Sequence, residues 1–173
     1  VMKHMPGHGR ATLDSHDATP TVHATRSELS ACDFIPFKVL AGCPWGMTAH
    51  IIFANIDPVN PATQSTNIIN DIIRKQIGFD GFLITDDISM GALNGKISQR
   101  ALKSLNAGCD AVLHCNGNIA EMQEIASSIC CLKDESIRRL SETFSAKVTP
   151  SKLKSKEVKA ELRYLLSKVN GMP

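Results

Sequence analysis

Two adjacent aspartates, Asp86 and Asp87, close a mostly apolar run at residues 79–85. A carboxylate at the end of a buried strand is a group that can attack a carbon, take a proton or give one. Neighbouring strand residues point to opposite sides, so at most one of the two aims into a pocket, and the pattern does not say which. The plainer alternative is a helix cap paired with a structural ion pair. Asp14 and His16 form a second constellation, in a polar loop. An aspartate two residues before a histidine can hold the ring, select its tautomer and raise its basicity, giving a dyad that shuttles a proton. An Asx-turn beside an exposed histidine is the competing account. Lys3 and His4, followed by Pro6-Gly7-His8-Gly9, make the third: a strand-end lysine and histidine beside a tight turn. His4, His8 and His16 match no standard zinc spacing and no cysteine joins them, so no metal is expected.

These groups need elements to hold them. Residues 4–21 carry Pro6, Gly7, Gly9 and Pro20 and read as a loop. Ser27 and Glu28 open a helical segment towards residue 41, with Leu29, Phe34, Phe37 and Leu40 on its inner face and Pro36 as a break. Residues 44–53 read as a strand, and Ser65 as the N-cap of a helix containing Ile68, Ile69, Ile72 and Ile73, ended by Gly78. A strand over 79–85, a helix over 98–107, a strand over 109–114 and helices near 119–131, 134–146 and 152–169 follow. Apolar strands separated by helices imply parallel pairing, in a doubly wound sheet or in part of a (β/α)₈ barrel. In either case functional groups collect at the carboxyl ends of the strands. Lys3 and His4, His50, Asp86 and Asp87, and His114 stand there, one set per strand. An unpaired buried charge is too costly for that to be incidental.

The chain has 173 residues, 43% hydrophobic and 21% charged, which argues against disorder. A net charge of +2 gives no reason to expect a nucleic-acid partner. Seven Lys/Arg and two Glu lie from Lys147 onward, a basic tail read as a solvated helix face. Five of the six cysteines (Cys43, Cys109, Cys115, Cys130 and Cys131) lie in or beside apolar segments, where small buried thiols are expected. No apolar stretch approaches the roughly 20 residues of a membrane span, and no signal-peptide pattern opens the chain. A reduced, cytoplasmic setting is the expectation. The opening Val-Met-Lys-His goes straight into a motif-dense loop, as if an upstream portion were missing.

Taken in order, KHMPGHG, DSH after four residues, PWGMTAH, FDGFLITDDISMGAL and AGCDAVLHCNG resemble the barrel domain of glycoside hydrolase family 3 β-N-acetylhexosaminidases, from Val1 to about Cys131. Met5 stands where that family usually has Phe. The resemblance implies an α/β fold, a partial (β/α)₈ barrel of roughly the C-terminal four βα units, over residues 1–149, with a basic helical tail over 150–173. It implies Asp86 as nucleophile of a retaining reaction, His16 with Asp14 as the acid/base dyad, and Lys3 and His4 as ligands of the sugar hydroxyls. Asp87, His50 and His114 would support or line the pocket. The implied substrate is a terminal β-linked N-acetylglucosamine, carried in Gram-negative relatives by cell-wall muropeptides recovered in the cytoplasm, with no cofactor. The family's earlier strands, which supply further sugar-gripping residues, are not in this sequence. The chain is therefore expected to be inactive alone, or to need an N-terminal half-barrel. The alternatives are a catalytically dead remnant that binds sugar or a partner, and a phosphorolytic relative.

Overall fold

A computed structural model describes residues 1–145 and 155–169. Four parallel strands form its centre, in the order β1-β3-β5-β6: β1 Met2–Met5, β3 Trp45–Thr48, β5 Phe82–Asp87 and β6 Ala111–Leu113. Sequence order is kept across the sheet because helices return the chain between parallel neighbours. The register Trp45↔Phe82, Gly46↔Leu83 and Met47↔Ile84 puts the ends of β3 and β5 side by side. This is a partial α/β barrel, the one of the two architectures left open by the strand–helix pattern that the family resemblance implies.

The run at 44–53 is not one strand. β3 stops at Thr48, and Ile52–Phe53 (β4) joins a separate two-stranded parallel sheet with Thr21–Val22 (β2). His50 therefore sits just past β3 rather than on it. The Phe79 side of the next run also lies outside the strand, which begins at Phe82.

The first helical segment breaks where Pro36 predicts, into α1 Arg26–Ala31 and α2 Ile35–Val39. Its cap is Thr25, not Ser27: the Thr25 hydroxyl accepts the Glu28 N–H while Glu28 returns to the Thr25 N–H, a reciprocal capping box. Leu29 and Phe34 are fully buried, but Leu40, expected inside, is half exposed because the break turns it outward. Ser65 does cap the following helix, its hydroxyl accepting the Ile68 N–H at 3.2 Å. That helix is wound as a π-helix over Ile68–Ile77, and Gly78 ends it at φ +81°, a left-handed position that suits glycine.

Ile68, Ile69, Ile72 and Ile73 pack with Leu83, Phe79, Phe34 and Met5 in the main core. A smaller cluster of Ile88, Leu93, Ile97, Ala101 and Ile125 joins the turn after β5 to α3 Ile97–Ala107 and α4 Ile119–Ser128. The expectation of buried thiols holds for Cys109, whose thiol burial pushes up to about 12, and fails for Cys115, Cys130 and Cys131, which are exposed. A short apolar context does not ensure burial when the segment is a surface connection.

Asp110, just before β6, is the polar anchor of the opposite face. Its oxygens accept from the Leu83 N–H, the Ser136 hydroxyl, Arg74 and Arg139. This ties α5 Asp134–Ser145 and the π-helix to β5. In the tail, α6 spans Ser155–Val169, with Val158, Leu162, Leu165 and Leu166 exposed. The expected boundary at 149–150 and the start of a tail helix at 152 lie outside the described residues. Among those residues, no helix is long and apolar enough to cross a membrane.

Candidate active site

β1 and β5 are separated by β3, and their carboxyl ends bring His4 and Asp86 together. His4 Nε2 lies 3.3 Å from Asp86 Oδ2, with the side chains 27% and 17% exposed, so the pair is half-sheltered yet open to a ligand. Burial lowers the proton affinity of His4, outweighing the Asp86 charge, and the nearby Lys3 lowers it further. A neutral imidazole at this position can present a polar N–H without adding a positive charge to the pocket. The other Asp86 oxygen accepts the N–H of Asp87 at 2.9 Å, which fixes the carboxylate plane.

The two aspartates are sorted by their neighbours. Asp87 turns into the connection after β5, accepting from the Ser89 N–H at 3.0 Å, the Ser89 hydroxyl at 2.6 Å and the Cys115 N–H at 3.2 Å. Burial raises its proton affinity, but these donors win and hold it below the ordinary carboxylate value. Asp87 is thus committed to the Ser89 hydroxyl and to the backbone N–H groups around it.

His50 supports the same strand end from beneath. It is fully buried, with Nε2 3.0 Å from the Asp87 carbonyl and Nδ1 2.7 Å from the Thr63 hydroxyl. Burial keeps the ring neutral against the pull of the Asp87 carbonyl and of the Asp86 and Asp87 charges. A carbonyl can only accept, so the ring proton is on Nε2, and Nδ1 is left as an acceptor facing Thr63, whose single proton also lies within reach of the Ala49 carbonyl at 3.0 Å. Thr48 lies 2.8 Å from Thr63 and completes the buried chain. The sequence marks His50 only as a supporting group; its bond to Asp87 depends on Thr63, 13 residues away, which no pattern singles out. His114, just past β6, pairs through Nε2 with Glu121 at 2.7 Å and contacts neither Asp86 nor His16.

The loop between β1 and β2 supplies the second group. One oxygen of Asp14 accepts both the His16 N–H at 2.9 Å and the His16 ring at Nδ1, 2.7 Å away. The Asx-turn and the dyad, alternatives at the level of sequence, are one structure: the turn folds the ring onto the carboxylate. Asp14's hydrogen bond raises the proton affinity of His16, its charge adds to this, and the Asp86 charge adds less. Asp14 is lowered by the His16 backbone and ring donors. Nδ1–H is spent on Asp14, so Nε2 is the nitrogen free to exchange a proton. The side chains are 74% and 65% exposed, open to whatever occupies the space.

The loop is held at several points. Arg10 pairs with Asp33 at 2.9 Å, and the Ile52 N–H donates to the Pro20 carbonyl at 2.9 Å. Lys3 is not brought into contact with Asp86. It lines a hollow with Phe37, Leu40, Pro44 and Trp45 on the α2 side of β1. No cluster of metal-ligating side chains occurs among the described residues.

The chain is similar to known proteins over most of its length. The model of the glycosyl hydrolase family 3 N terminal domain matches residues 1–143. A beta-hexosaminidase of Shewanella frigidimarina is 42% identical over 124 residues, 69% of this chain and 36% of that protein. Another, from Alkalilimnicola ehrlichii, is 43% identical over 120 residues, 67% of this chain and 34% of that protein. Among solved structures, NagZ from Neisseria gonorrhoeae in complex with N-trifluoroacetyl-D-glucosamine gives a TM-score of 0.71 at 32% identity, over 82% of this chain and 41% of that one. A family 3 beta-N-acetylglucosaminidase from Paenibacillus sp. gives 0.68 at 29% identity, over 87% of this chain and 33% of that one. The chain spans little more than a third of the length of these two curated relatives. On the family match and these identities together, the chain belongs to glycosyl hydrolase family 3.

Proposed function

We propose that this chain carries the nucleophile and the acid/base of a retaining β-N-acetylglucosaminidase. The observation that carries the reading is the Asp86 carboxylate at the end of β5, beside a neutral His4, with the His16–Asp14 dyad on the loop that follows β1. A retaining glycosidase needs a carboxylate on one side of the anomeric carbon and a proton donor on the other.

In the first step an Asp86 oxygen forms a bond to the anomeric carbon as the glycosidic bond breaks. His16, protonated at Nε2, gives that proton to the departing oxygen. Asp14 favours the charged ring and keeps Nε2 pointing away from itself. In the second step neutral His16 takes a proton from water, the water oxygen bonds to the anomeric carbon, and the Asp86 ester is released. His4, beside Asp86, would grip the sugar hydroxyls, and Lys3, which lines the hollow on the α2 side of β1, would join it by swinging its chain towards the sugar. The substrate is a terminal β-linked N-acetylglucosamine; a muropeptide fragment in the cytoplasm is the setting that fits best. The free edges of β1 and β6 are where the remaining strands of a closed barrel would pair, so full activity is expected with that half supplied.

The test is release of 4-nitrophenol from its N-acetyl-β-D-glucosaminide, with the chain alone and in a full-length barrel. Turnover lost in Asp86→Asn, with a sugar ester trapped on Asp86 in the parent, supports the proposal. Turnover unchanged in Asp86→Asn overturns it. Sugar binding without turnover in the full-length barrel would leave a binding module instead. Sugar 1-phosphate formed on adding phosphate would make it a phosphorolytic enzyme.

A further inference from the structure

The His16 loop meets the turn that follows β5 at Gly91 and its neighbour Ala92. The Gly91 N–H donates to the His16 carbonyl at 2.9 Å. Beside it the Thr19 hydroxyl donates to the Ala92 carbonyl, closing a two-point contact between the loop and the turn. The glycine is not there for its backbone angles, because Gly91 is not among the residues of positive φ. Its reason is space. A β-carbon at position 91 would stand 2.8 Å from the carbonyl oxygens of both His16 and Asp17. Both obstacles are main-chain atoms of the same turn, so no side-chain rotation relieves them, and the loop itself would have to move. Asp86 lies five residues before Gly91 along the chain. Between them, Ile88 is buried in the smaller core cluster and Asp87 is tied down by Ser89 and Cys115, so the turn is a rigid platform.

Resting on the hydrolase reading above, we propose that Gly91 is a positioning residue: its N–H and its missing side chain latch the His16 loop to the Asp86 strand and set the separation of proton donor and nucleophile. Thr19 is the second point of the latch. The arrangement explains how a histidine on an exposed loop is placed without being buried. Gly91 holds the backbone carbonyl of His16 while Asp14 holds its ring.

The experiment pairs amide exchange with kinetics on Gly91→Ala, Thr19→Val and Thr19→Ser. With the latch, the amide of residue 91 is protected in the parent protein by nuclear magnetic resonance. It exchanges at least tenfold faster in Gly91→Ala and in Thr19→Val, and Thr19→Ser restores the protection. In the full-length barrel, Gly91→Ala lowers kcat by about a hundredfold, the cost of misplacing a catalytic group by about 1 Å. KM changes less than about threefold, and the unfolding midpoint stays in place, which a merely structural role would not give. An unprotected residue 91 amide in the parent, or Gly91→Ala with parental kcat, overturns the latch. Exchange is read without turnover, so an inactive but latched chain refutes the hydrolase reading alone.

Discussion

Replacing Asp110 with alanine removes the carboxylate that holds β5 and β6 in register, and its cost can be worked from its partners. The side chain is 1% exposed and accepts from four donors: the Leu83 N–H at 2.8 Å, the Ser136 hydroxyl at 2.7 Å, Arg74 at 2.8 Å and Arg139 at 3.1 Å. Breaking a buried ion pair by deleting one partner costs about 3–5 kcal/mol, because the other charge is left uncompensated. The low end applies here. Arg74 keeps the carbonyls of Phe79 and Gly81, and Arg139 keeps Asp80. The orphaned Leu83 N–H, buried in β5, adds about 1–3 kcal/mol. These contributions overlap, and about 4 kcal/mol is the expected loss, roughly a thousandfold in the folded-to-unfolded ratio. At a urea slope of about 2 kcal/mol/M the midpoint of unfolding falls by about 2 M. Asp80 is the control: it pairs with Arg138 and Arg139 but is 63% exposed, so Asp80→Ala should cost no more than about 1 kcal/mol. Equal midpoints for the two variants, or a shift below about 0.5 M for Asp110→Ala, would refute the view that this carboxylate anchors the strand carrying Asp86.

Three other outcomes bear on the site. His16→Ala should cut kcat by about 10²–10⁴-fold, the usual worth of a positioned proton donor, in the 4-nitrophenyl assay with the full-length barrel. Asp14→Asn removes the carboxylate that raises the proton affinity of His16, so the ring loses its proton at lower pH. The alkaline limb of kcat/KM, where the acid must be protonated, then moves towards acid, and a limb that stays in place would exclude His16 as that acid. His50→Gln keeps an N–H at the position of Nε2 and should retain most activity, whereas His50→Leu leaves the Asp87 carbonyl unpaired and should lose it; equal rates in the two would show that the bond to Asp87 is idle.

Periodicity shows the isoleucine helix before β5 in the sequence, and Ile68, Ile69, Ile72 and Ile73 are all fully buried. The break at Pro36, the Ser65 cap and the end at Gly78 are legible for the same reason: each follows from the covalent geometry or hydrogen bonding of one residue and its near neighbours. So is the placing of His4, Asp86 and His114 at or next to strand ends, because a charge beside an apolar run has few places to go. The split of residues 44–53 is not legible. An apolar stretch reads the same whether it stays in one sheet or hands over to β2, and the partner strand is two residues long.

The sequence by itself determined the identity of the chemical groups and the strands that carry them, since both depend on residue type and local spacing. Only the tertiary structure decided which aspartate is free. Asp86 and Asp87 are chemically equal; they differ because Ser89 and Cys115 claim one, while His4, on a strand 82 residues earlier, stands 3.3 Å from the other. Contacts of that span are set by packing of the sheet, and no local pattern encodes them.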